Sequence, residues 1–210
     1  MPLAEPQPLT PKPQSMLHPS TELRFVNDLI GHGVFATDLI PKGTITWVRD
    51  AMDRELTPDQ MDALPAMVRE ALLTYSYRNH KGHYIFCWDY TRFINHSFRA
   101  NCMPTPYGFE IAVRHIQPGD QLTNDYGTLN IIEPFEPFDE GTDRKVVYPD
   151  DLATYHPEWD VLIDEAIALV NGVKQPLQSV FSTNDWAQVQ RLGAGHERVR
   201  SLRECWCVIS

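Results

Sequence analysis

Two short segments of this chain combine polar side chains with aromatic and apolar residues in a way that could support chemistry. The segment "RFINHS" places Asn95, His96 and Ser97 among apolar residues. The segment "QLTNDYG" ends in Tyr126 followed by a glycine. Amide, imidazole and hydroxyl groups are costly to bury unless hydrogen bonds satisfy them. We therefore expect these side chains to hold either one another or a ligand.

A third segment, "GHGVFATDLIPKG", runs from Gly31 to Gly43 and begins with two glycines one residue apart. Alone, such a pair indicates a tight turn between strands. It lacks the third glycine and the following helix of a dinucleotide-binding loop. In their order and spacing, however, the three segments resemble the SET-domain family of protein lysine methyltransferases. The resemblance extends from about Glu22 to Thr128.

The resemblance implies a fold and a cofactor. The SET fold is α+β, mainly β, with small curved β-sheets around a knot-like crossing in which the segment carrying "NDYG" passes beneath a loop. Such threading is rare among folds. The family's cofactor is S-adenosylmethionine, which binds on one face of the domain. The target lysine enters through a narrow channel from the opposite face.

The resemblance also gives roles to individual residues. Tyr126 matches the catalytic tyrosine, whose hydroxyl lies beside the transferred methyl group. Gly33 belongs to the first cofactor loop, where glycine lets the backbone approach the ligand closely. The complete cofactor-binding set that the resemblance implies is His32, Gly33, Val34, Arg92, Phe93, Asn95, His96 and Tyr126.

Methyl transfer from a sulfonium to an amine is an in-line displacement that depends on alignment. The amine must be neutral, and an apolar channel beside a positive sulfonium lowers its pKa. Tyr75, Tyr77 and Tyr84 are candidates for the aromatic wall of the substrate channel, with core packing as the alternative for each. Asn124 stands where relatives often have Phe or Tyr, a position that influences the number of methyl groups. The sequence leaves that number open.

The chain departs from the family at a zinc site. Relatives often have a cysteine where this chain has Phe98, and three more cysteines after the domain complete the site. Here Pro137 and Asp139 occupy the positions of the Cys-x-Cys pair. We therefore expect no metal ion, and we expect Phe98 to fill the former zinc site by packing against Phe135 or Phe138.

The cysteines leave two alternatives open. Cys205 and Cys207, in "CWC", could bind a metal ion together with Cys102 or Cys87, although no further cysteine follows to complete the set. The last four residues, "CVIS", match a prenylation motif, a pattern that also arises often by chance.

Composition limits the classes of partner. The 210 residues carry a formal net charge of -10, which argues against direct nucleic-acid binding because phosphates would be repelled. The same charge suits a basic protein partner.

No apolar run approaches the roughly 18 residues that span a bilayer. Four cysteines are too few for a secreted disulfide scaffold. We expect a cytoplasmic protein, or a nuclear one if it is eukaryotic or delivered to a host.

Changes in composition and periodicity divide the chain. Prolines dominate the start, which predicts a disordered leader. Helical spacing follows Thr57 within the domain, and Pro65 is expected to kink or split this insert. The last part reads as helices at about 159–170 and 184–202. The predicted units are a leader (1–20), a SET domain (21–128) with a helical insert (57–77), a degenerate zinc-segment connector (129–148) and a C-terminal helical extension (149–210).

Together these features predict an S-adenosylmethionine-dependent protein-lysine N-methyltransferase. Its substrate is expected to be an accessible lysine in a basic segment of a histone-like, ribosomal or host protein. A catalytically weak SET-like binding module is the alternative, and methylation of a small amine also stays open. The C-terminal helices are expected either to cover the cofactor or to form a homodimer surface.

Overall fold

The computed structural model describes residues 15–207, in which short β-strands come first and the long helices follow. The predicted α+β class, mainly β with small sheets and C-terminal helices, is confirmed. The strands are β1 (Thr21–Asn27), β2 (Gly31–Ala36), β3 (Ile45–Val48), β4 (Arg54–Leu56), β5 (Ser76–Arg78), β6 (Tyr84–Phe86), β7 (Asn95–His96), β8 (Cys102–Pro104), β9 (Phe109–Ala112) and β10 (Thr123–Asn124). The α-helices are α1 (Pro58–Asp62), α2 (Ala66–Tyr75), α3 (Asp151–Ile167) and α4 (Thr183–Gly193), and short 3₁₀ helices lie at Tyr90–Phe93, Tyr126–Thr128, Val170–Gly172, Gln178–Val180 and Leu202–Cys205.

These strands form small separate sheets. β1 and β2 make an antiparallel hairpin. β9 lies between β3 and β8, and β6 lies between β4 and β5, with all neighbours antiparallel. The exception is a parallel pair in which Asn95 lies opposite Thr123 and His96 opposite Asn124. This pair places the two polar segments of the sequence side by side, while the knot-like threading itself stays a prediction.

Order begins earlier than the predicted leader boundary at residue 20. Leu17, which is 3% exposed, pairs with Trp47 beside β3. The backbone N–H of His18 donates to the carbonyl of Thr46 at 2.7 Å. Residues 15–20 are therefore part of the fold, because one apolar side chain and a strand edge hold them. The predicted leader otherwise falls on residues 1–14, which lie outside the described residues.

The predicted helical insert is two helices and a strand. Thr57 accepts a hydrogen bond from the backbone of Gln60, whose side chain accepts one from Thr57 in return, so α1 begins with a complete capping box. The chain breaks before Pro65, as expected, and α2 begins after it. The helix does not reach Tyr77, which lies on β5 and pairs with β6 instead.

The C-terminal helices cover the β3–β9–β8 sheet. Ile45 and Phe109 of the sheet share one core cluster with Trp159 and Ile163 of α3 and with Leu192 of α4. Complete burial of one such side chain contributes about 1.5–3 kcal/mol. The extension is therefore continuous with the core of the domain.

The boundaries of these helices differ from the prediction. α3 begins at Asp151 rather than at about 159, and it contains Pro157. α4 ends at Gly193 rather than at about 202. Gly195 follows with φ of +70°, and His196 donates its backbone N–H to the carbonyl of Arg191, a glycine-dependent helix end.

Arg144, in the connector, joins the β10 segment to α3. Its guanidinium forms ion pairs with Asp125 and Asp151, two carboxylates that are almost completely buried. The same group lies over the rings of Phe98, Tyr155 and Trp159, at 4.6, 4.4 and 5.6 Å from the centroids. Planar stacking and forked donors suit arginine to such a site. Asp125 precedes Tyr126, so this ion-pair network fixes the backbone that carries the tyrosine.

The rest of the connector is held by contacts that replace the expected packing. Glu140 accepts hydrogen bonds from the Ser97 hydroxyl and the Phe98 backbone, both at 3.0 Å. Phe98 contacts the imidazole ring of His96 and the guanidinium of Arg144. These two groups take the place of the predicted partners Phe135 and Phe138. Phe138 is 64% exposed. Arg144, which pairs with two carboxylates, therefore packs on Phe98 where an apolar partner was expected.

No helix within residues 15–207 is both long enough and apolar enough to cross a membrane. The predicted prenylation motif begins at Cys207, and its last three residues lie outside the described residues.

Replacing Arg144 with Met should lower the free energy of unfolding by about 3–5 kcal/mol, because two buried carboxylates then lose their common partner. Urea denaturation measures the change. The matched control is Arg191→Met, whose exposed pair with Glu197 should contribute no more than about 1 kcal/mol. Equal effects for the two variants would contradict the role given to Arg144.

Candidate active site

Tyr126 is held at both its backbone and its hydroxyl. Asp125 caps the 3₁₀ helix that starts at Tyr126 by accepting from the backbone of Gly127. The Tyr126 N–H donates to Nδ1 of His96 at 3.1 Å, and the phenol donates to the carbonyl of Ile94 at 3.0 Å. Burial raises the pKa of Tyr126 to about 12. The hydroxyl is therefore protonated near pH 7 and has one fixed direction.

Crowding around position 127 explains why a glycine follows Tyr126. A Cβ at this position would lie 2.9 Å from Cβ of Asp151 and 3.0 Å from both Arg144 Nη2 and the Trp159 ring. Close approach of the ion-pair network, rather than an unusual backbone angle, excludes a side chain here.

His96 is enclosed by aromatic rings. Its ring centroid lies 4.5 Å from Phe98, 5.4 Å from Tyr126 and 5.7 Å from Phe135. Burial, with a smaller effect from Arg144, lowers the pKa of His96 to about 4. Since Nδ1 accepts from Tyr126, the neutral ring carries its proton on Nε2, which is buried and has no partner in the described protein. His96 thus acts as a neutral support for Tyr126.

Asn95 connects the first glycine loop to the β10 segment. Its amide donates to the carbonyl of His32 at 3.0 Å and to Oε1 of Gln121 at 2.6 Å. Gly33 leaves the room for this pair, because a Cβ there would lie 2.6 Å from Gln121 Oε1. Gln121 is a member of this group that the predicted site residues did not include.

The remaining predicted cofactor residues surround Phe93. Its ring contacts His32 at 5.9 Å and Tyr75 at 5.3 Å between centroids. Arg92 stacks on Phe93 at 4.7 Å, while its guanidinium donates to the carbonyls of residues 87, 88 and 89. Val34 is fully buried, and its carbonyl accepts from Leu122. Arg92 therefore braces Phe93, and the Val34 side chain belongs to the core.

A cavity of about 550 Å³ lies beside this group. Its wall includes Tyr126 together with every residue predicted for the substrate channel: Tyr75, Tyr77, Tyr84 and Asn124. Arg92 also reaches the cavity, whereas His32, Gly33, Val34, Phe93, Asn95 and His96 do not line it. The structure thus separates the predicted channel residues from most of the predicted cofactor residues, with Tyr126 in contact with both groups.

The connector forms one wall of the cavity, and hydrogen bonds attach this wall to the C-terminal end. Asn130 lines it and has φ of +51°, a conformation that asparagine tolerates better than most residues. Its amide nitrogen donates to the carbonyls of Arg78 and Cys205, both at 2.9 Å. Its amide oxygen accepts from the backbone of Cys207 at 2.9 Å. This clamp joins β5, the connector and the C-terminal end.

Glu110 lines the cavity but was not among the predicted site residues. It lies on β9, a strand in which every residue is buried. Its carboxylate accepts from the Asn124 amide at 2.8 Å, and burial raises its pKa to about 7. A carboxylate inside a strand flanked by apolar residues was the available signal in the sequence.

The cysteines do not form the alternative metal site. Cys87 and Cys102 lie in the core cluster with Val34 and Ile116, whereas Cys205 packs against the cluster of the C-terminal helices. Within residues 15–207, no three side chains of the His, Cys, Asp or Glu type are arranged to hold a metal ion.

Comparison with known proteins agrees with the placement of these segments. Residues 31–127 match the family model of the SET domain, a span that contains all three motif segments. Among solved structures, a candidate histone methyltransferase of Plasmodium falciparum is similar, with 20% sequence identity and a TM-score of 0.37, covering 52% of this chain and 95% of that one. No curated protein sequence matches the chain.

Neutral His96 should make the site sensitive to acid. With a folded pKa of about 4, against an unfolded value of about 6.5, its contribution to stability is complete above pH 6.5 and is lost as the pH falls toward 4. NMR titration of the imidazole Cε1–H signal should give a midpoint near 4, and the same signal should be absent from His96→Gln. A midpoint near 6.5 would contradict the buried neutral ring.

Proposed function

The chain belongs to the SET-domain family through residues 31–127, and on that premise we propose that it is an S-adenosylmethionine-dependent protein-lysine N-methyltransferase. The observation that supports this most strongly is the composition of the cavity wall. Three tyrosines, Asn124 and Tyr126 line one cavity. Aromatic faces suit the stem and cation of an alkylammonium side chain.

The residues beside the cavity fit the cofactor. Gly33 has no Cβ, which lets its loop lie against the Asn95 and Gln121 side chains, and Phe93 and His32 offer aromatic faces for a heterocycle. These residues, with Arg92 as the brace of Phe93 and His96 as the support of Tyr126, would hold S-adenosylmethionine. When bound, the cofactor supplies a methyl group on a positive sulfonium.

Tyr126 acts by position rather than by proton transfer. Its pKa of about 12 keeps the phenol protonated, and the bond to Ile94 fixes the oxygen. The oxygen lone pairs can accept weak C–H contacts from a polarised methyl group, each contributing about 0.5–1 kcal/mol. Most of the rate enhancement then derives from alignment of the amine, which the cavity walls enforce.

The alternative, a catalytically weak binding module, was based on the degenerate zinc segment. In relatives this segment helps to close the lysine channel. In this chain the segment from Leu129 to Phe135 contributes to the cavity wall without cysteines. The Asn130 clamp and the Arg144 ion pairs supply the missing attachment. These contacts favour an active enzyme over the module.

A protein lysine is the proposed target. The net charge of -10 favours approach of a basic segment. A histone-like, ribosomal or host protein meets this requirement.

Tyr126→Phe should lower methyl transfer by about 10²-fold or more, because it removes the one preorganised hydroxyl at the reacting centre. Transfer of labelled methyl from S-adenosylmethionine to a panel of basic proteins measures the effect, and mass spectrometry gives the residue and the number of methyl groups. The conservative control is Tyr148→Phe, whose exposed ring does not line the cavity. Equal rates for wild type and Tyr126→Phe would contradict the proposed role.

Gly33→Ala should weaken S-adenosylmethionine binding by at least tenfold, since the added Cβ displaces Gln121 and Asn95 from each other. Calorimetry measures the affinity. Gly172→Ala is the matched control, because its Cβ would meet no atom within 4 Å. Unchanged affinity for Gly33→Ala would remove this loop from the cofactor site.

A further inference from the structure

Glu110 places a buried acid in the wall of the cavity, most of which is built from aromatic, apolar and neutral polar groups. The side chain lies on β9 and is 5% exposed, and its hydrogen-bond partner Asn124 is 4% exposed. Asn124 stands two residues before Tyr126, and all three residues line the same cavity. The acid is therefore part of the proposed channel and not of the solvated surface.

Two acceptors of this pair have no donor within the described protein. The Asn124 amide nitrogen donates to Oε1 of Glu110, which leaves Glu110 Oε2 and Asn124 Oδ1 buried and unpaired. Buried polar atoms are almost always satisfied, and an unpaired one in a cavity wall points to a ligand or an ordered water. Here the two unpaired atoms belong to adjacent side chains and both accept hydrogen bonds.

No cation of the described chain neutralises Glu110. Arg92 lines the cavity, but its guanidinium is occupied by three backbone carbonyls. Arg78 donates to Gly82 and to the Cys207 sulfur. The other titratable groups nearest Glu110 are Asp89, Cys87, Cys102 and Tyr77, none of which is a cation.

The missing partner should carry several N–H donors and a positive charge. An alkylammonium group has three donors on a compact cation, whereas water is neutral and a hydroxyl has one donor. We propose that Glu110 and Asn124 form the receptor for the target ammonium group, and that Glu110 accepts the proton that this group loses before methyl transfer. The second half of this inference rests on the proposed function.

The proton transfer balances without another reactant. The ammonium N–H bond breaks, its proton bonds to Oε2 of Glu110, and the carboxylate becomes a neutral carboxylic acid. The nitrogen keeps the electron pair and would use it to bond to the methyl carbon that the cofactor supplies, and the electrons of the carbon–sulfur bond would stay with sulfur. The product nitrogen is again a cation, and Glu110 returns its proton to solvent. Its buried position, which raises its pKa to about 7, suits a base that works near neutral pH.

Glu110→Gln tests the proton acceptor, because glutamine keeps the shape and the bond to Asn124 but cannot take a proton. With a lysine-containing protein from the panel, wild-type kcat/KM should rise with pH up to about 7 and then stay level to about pH 10. The variant should lose at least 100-fold at pH 7, and its rate should rise about tenfold per pH unit toward 10, because the amine must arrive neutral. Glu165→Gln, an exposed residue of α3 outside the cavity, should behave as wild type. A Glu110→Gln profile within threefold of wild type at every pH would overturn the proposal.

Binding of n-butylammonium to the wild-type protein tests the receptor without a variant and without turnover. At pH 8 calorimetry should show at least tenfold tighter binding of n-butylammonium than of 1-butanol, and the preference should disappear at pH 5.5, where Glu110 is neutral. Equal binding of the two probes at pH 8 would overturn the receptor. Preference for the cation in a protein that transfers no methyl group would keep the receptor and reject the proposed enzyme.

Discussion

The ion pairs of Arg144 with Asp125 and Asp151 are the interaction on which the rest of the site depends. A single guanidinium joins the connector, the segment before Tyr126 and the start of α3. Buried carboxylates without such a partner would be very unfavourable, so the three segments can only be buried together. Gly127 follows from this arrangement, because the network leaves no room for a Cβ beside the tyrosine. By resemblance, a zinc ion performs this attachment in many relatives, and here an arginine stacked on Phe98 performs it.

The polar groups of the site differ in how completely hydrogen bonds satisfy them. Around Asn95 the amide, a loop carbonyl and Gln121 satisfy one another, which makes a rigid support. Around Glu110 the pairing is incomplete, and Trp47 and Thr91 add further unpaired polar atoms to the same cavity. A folded protein tolerates such groups where binding or catalysis uses them, because their desolvation would otherwise reduce stability without compensation.

The sequence predicts most of the motif geometry and less of what surrounds it. Local patterns identify the helical spacing after Thr57 and the break at Pro65, since each depends on neighbouring residues. From the family resemblance, one channel was predicted to contain Tyr75, Tyr77, Tyr84, Asn124 and Tyr126. In the structure these residues line one cavity. Arg144 was not predicted, because its two partners are 19 and 7 residues away and no local pattern connects them. Glu110 was also not predicted, since alternation along β9 cannot reveal that both faces of the strand are covered.

The Asn130 clamp has a consequence for how the protein matures during synthesis. One wall of the cavity depends on hydrogen bonds between Asn130 and the backbone at Cys205 and Cys207. Domains begin to fold on the ribosome from their N-terminal side, so the sheets can assemble while this end is still inside the exit tunnel. The nascent chain therefore passes through a state in which the tyrosine-lined space lacks one wall. Closure of this wall therefore follows the emergence of Cys207 from the tunnel.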